Sequence, residues 1–271
     1  MALSAIEEIY FQAWGKAGGS GRVRRAFSMS NFIWRMLECR ARQEHSGISD
    51  CEASWHAAKR MYFSNAETQK LLDRLRGGVM MVEPDFHETT QRIVSLLDEL
   101  EVRFHLTGGI LAAYYGDPRS TQDVDIVIEL AANRPETAAL LLRLSQDYVI
   151  TWDVAIQAIE QKRLFQAIDK LSMIKIDFHV GEKIPGELSR STRREIAPGL
   201  IAPVVSKEDA ILAKLYWIQQ GSHRSRRDVT EMLRRHEDID HNSLKQRAAM
   251  LGLLDLLDEM DSEMRAGPGL A

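Results

Sequence analysis

The sequence predicts an α+β fold: a small mixed sheet bearing carboxylates at one edge, helices behind it, a helical extension before it and a helical region after it. Three observations carry that prediction. Short apolar or alternating segments gather between residues 102 and 180, where a period of two replaces the helical period. Helical periodicity with capping residues occupies both flanks. Gly108-Gly109 and Gly116-Asp117-Pro118 punctuate the middle where the chain must turn.

Taken in order, Ser30 to Glu44 and Ser49 to Tyr62 read as helices, the second opened by Ser49 with Glu52 three residues on, a reciprocal capping pattern. A third runs from Asn65 or Ala66 to Arg76. Gly77-Gly78, followed by Val79 to Glu83 and Pro84, ends the helical pattern and sets a domain boundary near 78 to 84. Asp85 to Leu100 reads as a helix with Ile93, Leu96, Leu97 and Leu100 on one face. Val102 to Thr107 is a short strand ending in Gly108-Gly109, Ile110 to Tyr115 is helical, and Val124 to Leu130 is an apolar strand. Arg134 to Gln146 gives another helix. Leu164 to Asp169 and Ser172 to Val180 read as strands of a hairpin across Lys170-Leu171. The last third, from Ser206 with Asp209 to answer its cap, is helical. The expected division is a helical extension over 1–78, a core over 85–205 and a helical region over 206–271.

The chain has 271 residues, 45% of them hydrophobic, enough to furnish a core. A net charge of −4 and a pI near 6.1 give no global attraction to polyanions or an anionic membrane. Cys39 and Cys51 lack metal-ligand spacing and make no disulfide framework, so a reducing cytoplasm is expected. No apolar run approaches the roughly 20 residues of a membrane helix, and no secretory signal opens the chain, so no membrane partner is expected.

Chemistry concentrates in Gln122-Asp123-Val124-Asp125-Ile126. Two carboxylates two apart in a strand project from one face, and their repulsion is relieved by a cation between them. Oxygen-only ligation suits Mg²⁺ or Mn²⁺ completed by water and phosphate. Asp-x-Asp alone also arises as a solvated strand end. Here Gly108-Gly109 precedes it, closing a strand and opening a helix, where backbone N–H groups and the helix dipole favour a phosphate. In Lys175-Ile176-Asp177-Phe178-His179, the polar residues share one face, so Asp177 can complete a two-metal site and serve as the base. Its alternative is an exposed position on an antiparallel strand.

Leu106-Thr107-Gly108-Gly109, then Asp123-Val124-Asp125, then a separate strand with Asp177, resembles the polymerase-β-like nucleotidyltransferase superfamily. Tyr115 to Asp123 is similar to the Gly-x-x-Arg-x-Thr-x-Asp stretch of its small bacterial abortive-infection and toxin–antitoxin members. Ser206 to Leu215 and Arg224 to Val229 look like their helical C-terminal elements. The resemblance covers roughly residues 85 to 240. It implies a nucleoside triphosphate, ATP among the candidates, at Gly108, Gly109, Arg119, Thr121 and Lys214, with metal at Asp123, Asp125 and Asp177. The implied activity is transfer of a nucleoside monophosphate to an unidentified acceptor hydroxyl on protein, RNA or a small molecule. Glycine stands at the second turn position where many relatives have serine, removing a hydroxyl but leaving the backbone donors. Lys214 also reads as a solvated lysine, and Arg227-Asp228 as a surface pair. Residues 1–78 lie outside the pattern. They are expected to dock a protein partner, and the Arg40-x4-His45 spacing, like that of helical RNase toxins, is easily met by chance. Two other classes stay open: a non-catalytic nucleotide- or partner-binding half of a regulatory pair, and a nucleic-acid module using Arg190–Arg194 and Arg224–Arg227.

Overall fold

The computed structural model describes residues 5–76, 84–236 and 238–266. The expected boundary lies, up to residue 83, outside them. The chain falls into two compact units, one of Arg24–Ile110 with Arg119–Glu182, the other of Met1–Val23, Leu111–Pro118 and Lys183–Ala271.

In the first unit, helices form where their caps direct. Arg24–Glu44 is the latter part of α1 (Ala5–Glu44). Ser49 and Glu52 make both halves of the capping box at the start of α2 (Asp50–Met61). Asn65 accepts from the Thr68 N–H to open α3 (Ala66–Leu75). Asp85 accepts from the N–H groups of His87 and Glu88 to open α4 (Phe86–Glu99). The two features of the discounted Arg40-His45 spacing have local partners: Arg40 pairs with Glu44, and the His45 ring stacks on His56.

The sheet of this unit runs β3-β4-β5-β2-β1. Its strands are β1 (Phe104–Leu106), β2 (Asp123–Ile128), β3 (Tyr148–Val149), β4 (Leu164–Asp169) and β5 (Lys175–Val180). β2 and β5 pair in parallel; β1 with β2, β3 with β4 and β4 with β5 are antiparallel. A parallel pair needs a long crossover, and α6 (Pro135–Asp147), β3, α7 (Trp152–Glu160) and β4 supply it. The expected hairpin forms, but β5 starts at Lys175 rather than Ser172. The Asp169 carboxylate accepts from the Leu171 N–H and the Ser172 hydroxyl, both at 2.9 Å, and Met173 takes φ 55°, so residues 170–174 form the loop. Val124, Ile126, Ile176 and Phe178 are fully buried, and Phe178 stacks on Phe165 with centroids 4.8 Å apart. Alternation therefore turns the residues between them to the opposite face.

The second unit begins with the earlier part of α1, which starts well before the expected Ser30. Glycines at 15, 18, 19 and 21 disguise this stretch, and Gly18 (φ 65°, ψ −179°) does interrupt its helical geometry. A side chain at Gly19 would meet the Tyr114 ring at 2.6 Å. Helix α5 (Gly108–Tyr115) starts in the sheet unit and continues into this one, where Arg22 donates to the carbonyls of Ala113 and Tyr114. Short α8 (Glu187–Arg190) leads to a hairpin of β6 (Thr192–Ala197) and β7 (Leu200–Val204), absent from the sequence expectations. Four successive exposed residues in β6 and Pro203 in β7 hide the alternation, although Pro198-Gly199 marks the turn. The helical expectation after Ser206 holds in α9 (Lys207–Gln219), α10 (His223–Arg235), α11 (His241–Met250) and α12 (Leu254–Ala266). Ser206 accepts from the Asp209 N–H at 3.1 Å. The Asp209 carboxylate receives two hydrogen bonds of 2.9 Å from Arg190.

Candidate metal and nucleotide site

The parallel register of β2 and β5 builds the site. It sets Asp123 beside Lys175 and Asp125 beside Asp177, so residues from two distant segments share one face. One carboxylate oxygen from each of Asp123, Asp125 and Asp177 lies within 4.8 Å of the others. Asp177 is buried and central rather than on an exposed antiparallel strand. Three oxygens converging in this way fit a hard divalent cation.

The glycine turn meets the same place. Gly108 has φ +62°, which glycine adopts without strain, and a side chain there would collide with the Asp125 carboxylate, its Cβ lying 2.6 Å away. A side chain at Gly109 would meet Thr121, whose Cβ is 2.9 Å away, and would approach the Arg119 guanidinium at 3.7 Å. The Thr107 N–H donates to the Asp125 carbonyl at 3.0 Å, fastening the turn to β2. Thr121 donates its hydroxyl to the Asp123 carbonyl at 2.9 Å, and its N–H donates to Ser30 at 2.9 Å. The structure thus gathers Gly108, Gly109, Arg119, Thr121 and the three aspartates. The first turn of α5 adds N–H groups without partners inside the helix.

Around the acids lies a polar frame that sequence reasoning gave no role. The Lys175 ammonium bridges Asp123 at 2.9 Å and Asp177 at 2.5 Å. Gln166 on β4 donates to Asp177 at 3.1 Å and accepts from the Thr68 hydroxyl at 2.9 Å. His179 Nε2 lies 3.2 Å from Asp125. The Tyr62 hydroxyl accepts from the Lys175 N–H at 3.1 Å and donates to the Gln122 carbonyl at 2.8 Å, tying the starts of both acid-bearing strands. The alternation Lys175-Asp177-His179 was visible in the sequence. Tyr62, Thr68 and Gln166 meet the site through long-range contacts that no local pattern announces.

Burial, reinforced by the neighbouring Asp125 charge, pushes the Asp123 pKa up to about 6 against the pull of Lys175. Burial also raises Asp177, again against Lys175. For Lys175, burial opposes the charge, but Asp123 and Asp177 outweigh it and hold the ammonium's pKa above its ordinary value. The set favours an additional cation.

Lys214 belongs to the second unit, where it is buried and ion-paired with Asp228 at 2.8 Å. It is therefore not a solvated lysine, nor is Asp228 part of a surface pair. In the same unit one arginine of each basic run is paired: Arg190 binds the buried Asp209, and Arg226 binds Glu259 and Glu263.

Fold and site together describe a mixed α+β protein whose sheet face carries an acidic triad suited to a divalent cation. No family model matches the chain, and no curated protein matches it in sequence. Among solved structures it is similar to an antigenic nucleotidyltransferase-like protein from Paracoccidioides brasiliensis, at 19% identity and a TM-score of 0.44, over 66% of this chain and 92% of that one. No helix among the described residues is long and apolar enough to cross a membrane.

Proposed function

We propose that this chain is a metal-dependent nucleotidyltransferase that moves a nucleoside monophosphate from a nucleoside triphosphate to an acceptor hydroxyl. The observation that carries this reading is the convergence of Asp123, Asp125 and Asp177 within 4.8 Å, beside a glycine turn that opens a helix. Asp123, Asp125 and Asp177 would hold Mg²⁺ or Mn²⁺, which when bound polarises the phosphate and acidifies the acceptor hydroxyl.

The chain's own groups do the rest. The N–H groups at Gly108-Gly109 and the dipole of α5 receive the triphosphate, and Arg119 adds a cation at the turn. Thr121 braces β2 at Asp123 and fills the space beside Gly109. Asp177, oriented by Gln166, accepts the acceptor's proton. The acceptor oxygen bonds to the α-phosphorus, the bond to the bridging oxygen breaks, and that oxygen leaves with pyrophosphate. A role for Lys214 at the triphosphate and a toxin–antitoxin setting rest on the sequence resemblance. A partner surface within residues 1–78 is supported by the exposure of Phe32, Met36 and Phe63.

Pyrophosphate release tests the proposal. Purified protein with a nucleoside triphosphate and cell extract should release it only with Mg²⁺ or Mn²⁺. Asp125→Ala should lose turnover while still binding nucleotide. Undiminished release by that variant would refute the assignment.

A further inference from the structure

Within the carboxylate cluster stands a cation that belongs to the chain. Lys175 is 5% exposed, and its ammonium lies 2.9 Å from Asp123 and 2.5 Å from Asp177. The side chain also passes the Tyr62 ring, with Nζ 6.0 Å from its centroid. The placement follows from register: β2 and β5 pair Asp123 with Lys175 and Asp125 with Asp177, so the lysine occupies the fourth corner of the acidic face.

Building on the transferase reading, we propose that Lys175 is a resident cation standing where a second metal would bridge Asp123 and Asp177, so that the loaded site takes one divalent ion rather than two. Two arguments support this. The first is spatial: Mg²⁺ binds oxygens at roughly 2.0–2.1 Å. A nitrogen already 2.9 and 2.5 Å from one oxygen of each acid leaves no room for an ion between that pair. The second is charge. Of the three carboxylate charges Lys175 already offsets one, which lowers the attraction for a second divalent ion.

The remaining acid, Asp125, lies against the Gly108 turn and near His179, on the side where the turn would hold a triphosphate. The one metal is therefore assigned to Asp125 and the nucleotide, sharing the outer oxygens of the other two acids. Lys175 steadies Asp123 and Asp177 throughout, as a positioning residue with the electrostatic part of a metal. A charge fixed to the chain offsets the repulsion of the acids in a buried place before nucleotide arrives.

The test counts bound Mn²⁺ per chain by electron paramagnetic resonance, with a non-hydrolysable α,β-methylene triphosphate present. The wild type should bind one ion, Lys175→Arg one, and Lys175→Met two, with circular dichroism checking that each variant is folded. Two ions in the wild type, or one in folded Lys175→Met, would overturn the inference while leaving the transferase reading intact. No Mn²⁺ on the wild type would remove both. The wild-type count decides even if Lys175→Met does not fold.

Discussion

Gly108 shows how tightly the site is specified by single residues. Its positive φ and the nearness of Asp125 both exclude a side chain, so Gly108→Ala must either strain the turn or move the carboxylate. We expect a loss of about 1–3 kcal/mol in urea denaturation, together with loss of metal-dependent turnover. Unchanged stability and turnover would mean that the turn is not held against Asp125. Tyr62→Phe tests the frame behind the acids. It leaves the Lys175 N–H and the Gln122 carbonyl without their partner, at a cost of about 1–3 kcal/mol in the same assay.

Asp123 adds a dependence on pH whose sign is opposite for the empty and the loaded protein. Its folded pKa of about 6 lies above the ordinary aspartate value of about 3.9. The folded state therefore holds the proton more tightly. The resulting stability is complete below about pH 4 and is lost as pH rises through about 6. A metal binds the deprotonated carboxylate, so its affinity falls as pH drops below about 6. In metal-free denaturation, wild type should lose stability relative to Asp123→Asn as pH rises from about 4 to about 6. The Mn²⁺-induced rise in Tm should grow across the same range. A flat profile for both would contradict the buried placement of Asp123.

Among elements, the parallel pairing of β2 with β5 matters most, because it alone converts two sequence-distant motifs into one cluster. The strand assignments and the shared face of Asp123 with Asp125 were legible, since period-two patterning is local. The pairing was not, because nothing in either segment names its neighbour. The same limit explains α1 and β6–β7: glycines obscure the first, and solvent-facing arginines with a proline obscure the second. Helices α9 and α10 provide a separate test. Lys214→Met breaks the buried ion pair with Asp228 and should cost about 3–5 kcal/mol. Adding Asp228→Leu should recover part of that loss in denaturant titration, whereas strictly additive losses would show that the two side chains are not coupled.

For the molecule as a whole, period-two segments between capped helices gave the α+β class and helical flanks, and the three acids with the glycine turn gave the expected outline of the site. Its inner support was hidden, because Tyr62, Thr68 and Gln166 acquire their places only when distant segments pack. Net charge foreshadowed the absence of a bulk basic character, but not that Arg190, Arg226 and Arg235 each have an acidic partner in their own unit. The central claim is that the triad transfers the α-phosphorus of a nucleoside triphosphate. It is tested most directly by incubating the protein with α-labelled and, separately, γ-labelled nucleoside triphosphates, Mg²⁺ and cell extract, with the Asp123→Ala plus Asp125→Ala protein alongside. Intact acids should place α-label on an acceptor, with γ-label leaving as pyrophosphate. Label from the γ-position on the acceptor, or equal α-transfer by the doubly substituted protein, would contradict it.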